Sequence, residues 1–155
     1  MEEILNKFAQ FAFLASGLML AAPASAADYE VQMVNQGPGG QLMHFEPAFV
    51  SVMPGDTVTF LPTDKGHNSE SILDMTPDGG SSWKGRTNEK ITVTFTVPGL
   101  YGFKCQPHFA MGMVGLIEVG HDTENLNALV GVRLPPRAQA RMFELFAKTI
   151  RGETK

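Results

Sequence analysis

The stretch Ile91-Thr92-Val93-Thr94-Phe95-Thr96-Val97-Pro98-Gly99-Leu100-Tyr101-Gly102-Phe103-Lys104-Cys105 alternates β-branched and aromatic residues with polar ones, turns at Pro-Gly, and resumes. That pattern predicts two strands joined by a tight turn, the second ending on the chain's one cysteine. Working outward, a strand is expected at Met113 to Val119. Upstream, strands are expected at Tyr29 to Val34, Leu42 to Phe45, Ala48 to Met53 and, after the Pro54-Gly55-Asp56 turn, Thr57 to Leu61. Pro62 to Lys90 is rich in Gly, Ser, Asn and Asp and reads as a long crossover loop with at most a helical turn near Ser71 to Met75. Many short strands with such punctuation predict a small antiparallel sandwich or barrel. Beyond about residue 122 the period changes. A short helix is expected around Leu126 to Val130. A second opens at Pro135-Pro136, with Met142, Leu145, Phe146 and Ile150 as its apolar stripe and Gly152 as its stop.

The 155 residues fit one domain, 27–155, behind a leader. Phe8 to Ala22 carries no charge and is followed by Ala24-Ser25-Ala26, an A-x-A pattern, so 1–26 reads as a cleavable secretory signal and the mature chain as periplasmic. The apolar run is too short to span a bilayer, and no membrane association is expected of the mature chain. A net charge of −4 argues against nucleic-acid binding, which needs a basic excess. A single cysteine in an exported chain can form no internal disulfide, so Cys105 is either a buried small hydrophobe or a reactive or ligating thiol.

Its neighbours separate these. Cys105-Gln106-Pro107-His108-Phe109-Ala110-Met111-Gly112-Met113 carries a thiolate, an imidazole and a thioether spaced C-x2-H-x4-M. Lys65-Gly66-His67-Asn68 offers a second imidazole, 38 positions upstream and just past a strand end. Two His, one Cys and a long axial Met form the blue-copper set, suited to an ion cycling between Cu(I) and Cu(II). Structural zinc takes Cys and His without thioether. A Cys/His nucleophile pair is the other alternative, although no oxyanion loop or third orienting residue stands out. Copper alone uses all four residues together.

The chain resembles the cupredoxins, and among them is similar to the pseudoazurins. The resemblance lies in Phe45-Glu46-Pro47-Ala48, Pro54 to Phe60, Asp64-Lys65-Gly66-His67-Asn68 and Pro107 to Met113, with the helical tail that plastocyanins lack. It implies a Greek-key β-sandwich or barrel with a short C-terminal helical extension. It also implies one type 1 copper ion, with His67, Cys105 and His108 equatorial and Met113 axial, in a monomeric electron carrier that is not an enzyme. A copper nitrite reductase is the acceptor it suggests, with nitrous oxide reductase or a haem protein as alternatives. Copper storage or delivery is the competing role.

Asn68 is expected to steady the two ligand loops. Gln106 stands where the family often has Thr or Ser, and either replaces that hydroxyl's bond or points to solvent. Pro107, Phe109, Ala110 and Met111 make an apolar collar around His108, the family's electron route, to which Met43 is a candidate addition. Lys65, Lys84 and Lys104, with Arg86, form either a basic docking rim or ordinary solvated cations. His44 and His121 are given no role.

Overall fold

A computed structural model describes residues 25–154; nearly all of the expected leader lies outside them. Among the described residues, eight strands run in chain order: β1 (Asp28–Gln36), β2 (Leu42–Glu46), β3 (Phe49–Val52), β4 (Thr57–Leu61), β5 (Glu70–Ser71), β6 (Ile91–Thr94), β7 (Gly99–Lys104) and β8 (Val114–Val119). Helices α1 (Leu126–Gly131) and α2 (Pro136–Ile150) follow. The strands form two four-stranded sheets, ordered β2-β1-β4-β6 and β3-β8-β7-β5, so the architecture is an open sandwich and not a closed barrel.

Two pairings depart from the antiparallel expectation: β1 with β4 and β3 with β8 are parallel. Alternation along a strand dictates which side chains face inward, but it does not name the partner. The crossover differs as well. A hydrogen-bonded turn does form at Ile72 to Met75 (Met75 N–H to Ile72 O, 3.1 Å), but ahead of it Glu70–Ser71 pairs with Lys104 and Phe103 of β7, and Glu70 bridges to Lys84. Two residues carry no readable period. Tertiary hydrogen bonds from Ser71 N–H to Trp83 O (3.0 Å) and from Ile72 N–H to Gly102 O (2.9 Å) hold the strand in place.

The space between the sheets is filled by Phe45, Phe60, Trp83, Phe95, Tyr101 and Phe103 together with Val31, Met33, Val58 and Ile117. The rings meet mostly edge to face, as at Phe45–Phe103 with centroids 4.8 Å apart, the arrangement ring quadrupoles favour. Gly115 is required here, since a Cβ on it would lie 2.1 Å from Cζ of Phe103. A second apolar cluster covers the outer face of β7 and β8 with Leu129 of α1 and Ala138, Met142, Leu145 and Phe146 of α2. All six residues of β8 are therefore buried, on both faces. Ile150 does not belong to the stripe expected of it; it is 72% exposed, and Thr149 turns inward at the end of α2 instead. Among the described residues no helix is long and apolar enough to cross a membrane.

Candidate metal centre

The segment that carries the candidate ligands Cys105, His108 and Met113 is the connection between β7 and β8, closed on itself by backbone hydrogen bonds. Cys105 N–H donates to Met113 O (3.0 Å), and His108 O accepts from Met111 (3.0 Å) and Met113 (3.2 Å). The chain leaving β7 thus folds back within nine residues. Gly112 makes the reversal possible in the left-handed region, at φ 92°. His67 arrives from the opposite sheet, on the segment that follows β4.

The structure brings Cys105, His67 and His108 to one point. Cys105 Sγ lies 3.8 Å from His67 Nδ1 and 3.5 Å from His108 Nδ1, and the two Nδ1 atoms are 3.1 Å apart. Soft and borderline donors held about 2.0–2.3 Å from a common ion lie this far from one another. His67, Cys105 and Met113 are buried, and His108 is half-buried. His67 Nε2–H donates to Asn35 Oδ1 (3.0 Å), which fixes the tautomer and leaves the Nδ1 lone pair facing the thiol.

Burial, and then the neighbouring His108, hold the His67 imidazolium below its ordinary range. Burial likewise pushes the Cys105 thiol up, against backbone N–H groups of Asn68 and His108 that favour the thiolate. Without a cation the pocket therefore holds a neutral imidazole and a protonated thiol. A bound cation inverts the second preference, because a coordinating thiol is deprotonated outright. The donor set of one thiolate, two imidazoles and an adjoining thioether residue fits copper.

Around these donors the two loops are tied by Asn68. Its Oδ1 accepts from Gln106 N–H (2.7 Å), and its Nδ2 donates to Glu70 Oε2 (3.1 Å) and Gly85 O (3.0 Å). The link expected of a hydroxyl at position 106 is made by the Gln106 backbone, and the Gln106 side chain is exposed. Lys104 is not a free rim cation. Its side chain is 18% exposed, its Nζ lies 3.3 Å from Glu70 Oε1, and it sits over the Phe109 ring at 4.7 Å. Lys65, Lys84 and Arg86 are exposed, with Arg86 paired to Glu89. Pro107 and Ala110 are exposed beside His108, while Met111, Phe109 and Met43 are half-buried. His44 and His121 lie elsewhere, against Glu46 (3.2 Å) and Glu118 (3.0 Å). Asn35 and Glu70 were not singled out from the sequence. Glu70, two residues beyond Asn68, had a positional clue in the loop, whereas Asn35 in β1 had none.

Residues 31–120 match the family described as copper binding proteins, plastocyanin/azurin family. The pseudoazurin of Paracoccus pantotrophus is 53% identical over 125 residues, covering 81% of this chain and 86% of its own. The pseudoazurin of Methylorubrum extorquens is 46% identical, covering 88% and 92%. A solved Sinorhizobium pseudoazurin superposes with a TM-score of 0.76 at 45% identity, covering 79% of this chain and 95% of that one. Most of each relative's length is covered, and His67, Cys105, His108 and Met113 all fall within the matched residues 31–120. The chain belongs to the copper-binding plastocyanin/azurin family and, within it, to the pseudoazurins.

Proposed function

We propose that His67, Cys105, His108 and Met113 would hold one copper ion, and that this periplasmic carrier, freed of residues 1–26, passes electrons through His108 to a copper nitrite reductase. The convergence of the two Nδ1 atoms and Sγ, all within 4.8 Å of one another, supports His67, Cys105 and His108 as ligands, and the C-x2-H-x4-M spacing adds Met113. As a pseudoazurin the chain is a type 1 copper electron carrier and not an enzyme.

Bound copper supplies one-electron cycling between its two oxidation states. The residues do the rest. Asn35 orients His67, Asn68 ties the His67 segment to the Cys105 turn, and the closed 105–113 loop keeps the donors from spreading when the charge changes. Four protein donors would leave no position for a substrate. Burial of His67 and Cys105 favours retention of the ion over delivery, against a storage role.

The half-buried His108, with exposed Pro107 and Ala110 beside it, gives a partner a short apolar approach. Exposed Lys65 and Lys84 supply charge that steers an acidic partner without tight binding. The reductase itself is suggested by kinship. Stopped-flow mixing of the reduced copper protein with a copper nitrite reductase tests the reading. Rapid oxidation, slowed several-fold by Lys65→Glu at low salt, is expected. Absence of transfer would reject the reductase as partner, and an unchanged rate in the variant would reject the steering role. Recovery of the protein from a periplasmic extract with the mass of residues 27–155 tests the leader; recovery with residues 1–26 attached would reject it.

A further inference from the structure

Arg141, on the inward side of α2, spends its guanidinium on three backbone carbonyls. Nη1 donates to Gly112 O (2.8 Å) and Met43 O (3.1 Å), and Nη2 donates to Leu42 O (3.2 Å). Both ends of this clamp are unusual. Gly112 shares its peptide unit with Met113, and α2 presses so close that a Cβ at Gly112 would lie 3.1 Å from the Arg137 carbonyl. On the other side, the β1–β2 register pairs Val34 with His44 and Gln36 with Leu42 but lapses between them, at Asn35 and Met43. There Met43 takes a left-handed φ of 52°, rare for a residue with a side chain. The opened ladder leaves the Met43 carbonyl to Arg141 and the Asn35 N–H to Asp64 Oδ2 (2.7 Å), with the Asn35 side chain on His67. One guanidinium on the far helix thus ties together the segment entering Met113 and the strand lying opposite the residue that orients His67.

We propose that Arg141 is a positioning residue of the copper centre: its fork fixes the Gly112–Met113 peptide against β2 and so sets where Met113 stands relative to the other donors. The inference rests on the reading of Met113 as a copper ligand. A planar fork suits the task, since it holds two carbonyl directions at once where an ammonium is a single point. The thioether ligand would in turn tune the potential of such a site.

The test compares copper-loaded wild type, Arg141→Gln and Met142→Ala. The last opens a cavity in the same helix without touching the three carbonyls. Arg141→Gln is expected to lose copper to a chelator about tenfold more readily, the lower end for residues that orient metal ligands. It should also change the relative intensities of the thiolate-to-copper bands and move the reduction potential. Met142→Ala should lower thermal stability and leave spectrum and potential as in wild type. Wild-type spectrum and potential in Arg141→Gln, or an equal change in Met142→Ala, would overturn the proposal. Should Arg141→Gln fail to fold, Arg141→Lys keeps the charge and loses the fork; a smaller change in the same direction supports the proposal and none overturns it. A wild type without an intense visible band would instead overturn the copper reading, and this inference with it.

Discussion

Replacing Asn68 by Ala removes the side chain that joins the two ligand loops. The residue is 5% exposed and makes three hydrogen bonds, to Gln106 N–H, the Gly85 carbonyl and the Glu70 carboxylate. Two of these are neutral pairs, each contributing about 1 kcal/mol, and the one to a charged acceptor contributes about 1.5–3 kcal/mol. The carboxylate also loses half of its compensation while Lys104 remains its other partner. The sum is about 4 kcal/mol. At roughly 3–4 °C per kcal/mol for a domain of this size, Tm should fall by about 12–16 °C. The assay is thermal unfolding of the copper-free protein at pH 7, so that metal linkage does not mask the change. Copper affinity, measured separately, should fall about 10–100-fold because the Gln106 turn is no longer anchored to the His67 segment. A Tm loss below about 3 °C with unchanged affinity would refute the claim that Asn68 is the tie between the loops.

Other consequences follow from single groups. Because burial holds the Cys105 thiol above its ordinary range, copper binding at pH 8 should displace about one proton per ion from this group. Calorimetry in buffers of different ionisation enthalpy would detect this, and zero release would contradict it. His44 is held below its usual 6.5 chiefly by burial, with Arg141 adding to the effect and Glu46 opposing it. Below about pH 6.5 the unfolded chain therefore binds more protons at His44 than the folded one does, and stability is withdrawn as pH falls through that range. His44→Gln should flatten the stability loss between pH 7 and 5, and an identical slope would reject this. Lys104→Met leaves the Glu70 carboxylate buried without its cation and should cost about 3 kcal/mol in urea unfolding, the low end for a broken buried pair because Asn68 still donates to it. An effect on electron-transfer rate alone, with stability intact, would return Lys104 to the docking rim.

The candidate donors were legible in the sequence because ligand chemistry and spacing act locally: C-x2-H-x4-M lies on one turn, Cys105 is unique in the chain, and the structure brings Cys105, His108 and His67 together. The longer strands were legible too, since Ile91–Thr94 and Gly99–Lys104 alternate or run apolar between strong turns. What the sequence hid was set by distant partners. Glu70–Ser71 becomes a strand because β7 and the Trp83 backbone meet it there. The parallel pairing of β1 with β4 leaves no mark in either strand's pattern. Ile150 continues the helical period, but the surface it would cover ends one residue earlier, at Thr149. Lys104 reads as a rim cation until Glu70 is seen 3.3 Å away. Asn35 and Arg141 are ordinary polar residues in their own segments. Their roles arise where β1, β2, α2 and the ligand loop converge.

The central claim is a thiolate-ligated copper at Cys105 with His67, His108 and Met113. Its most direct measurement is the visible spectrum of the purified copper-free protein after one equivalent of Cu(II). An intense thiolate-to-copper charge-transfer band is predicted, absent in Cys105→Ala and altered in Met113→Leu. A colourless complex, or a band that survives Cys105→Ala, would contradict the account.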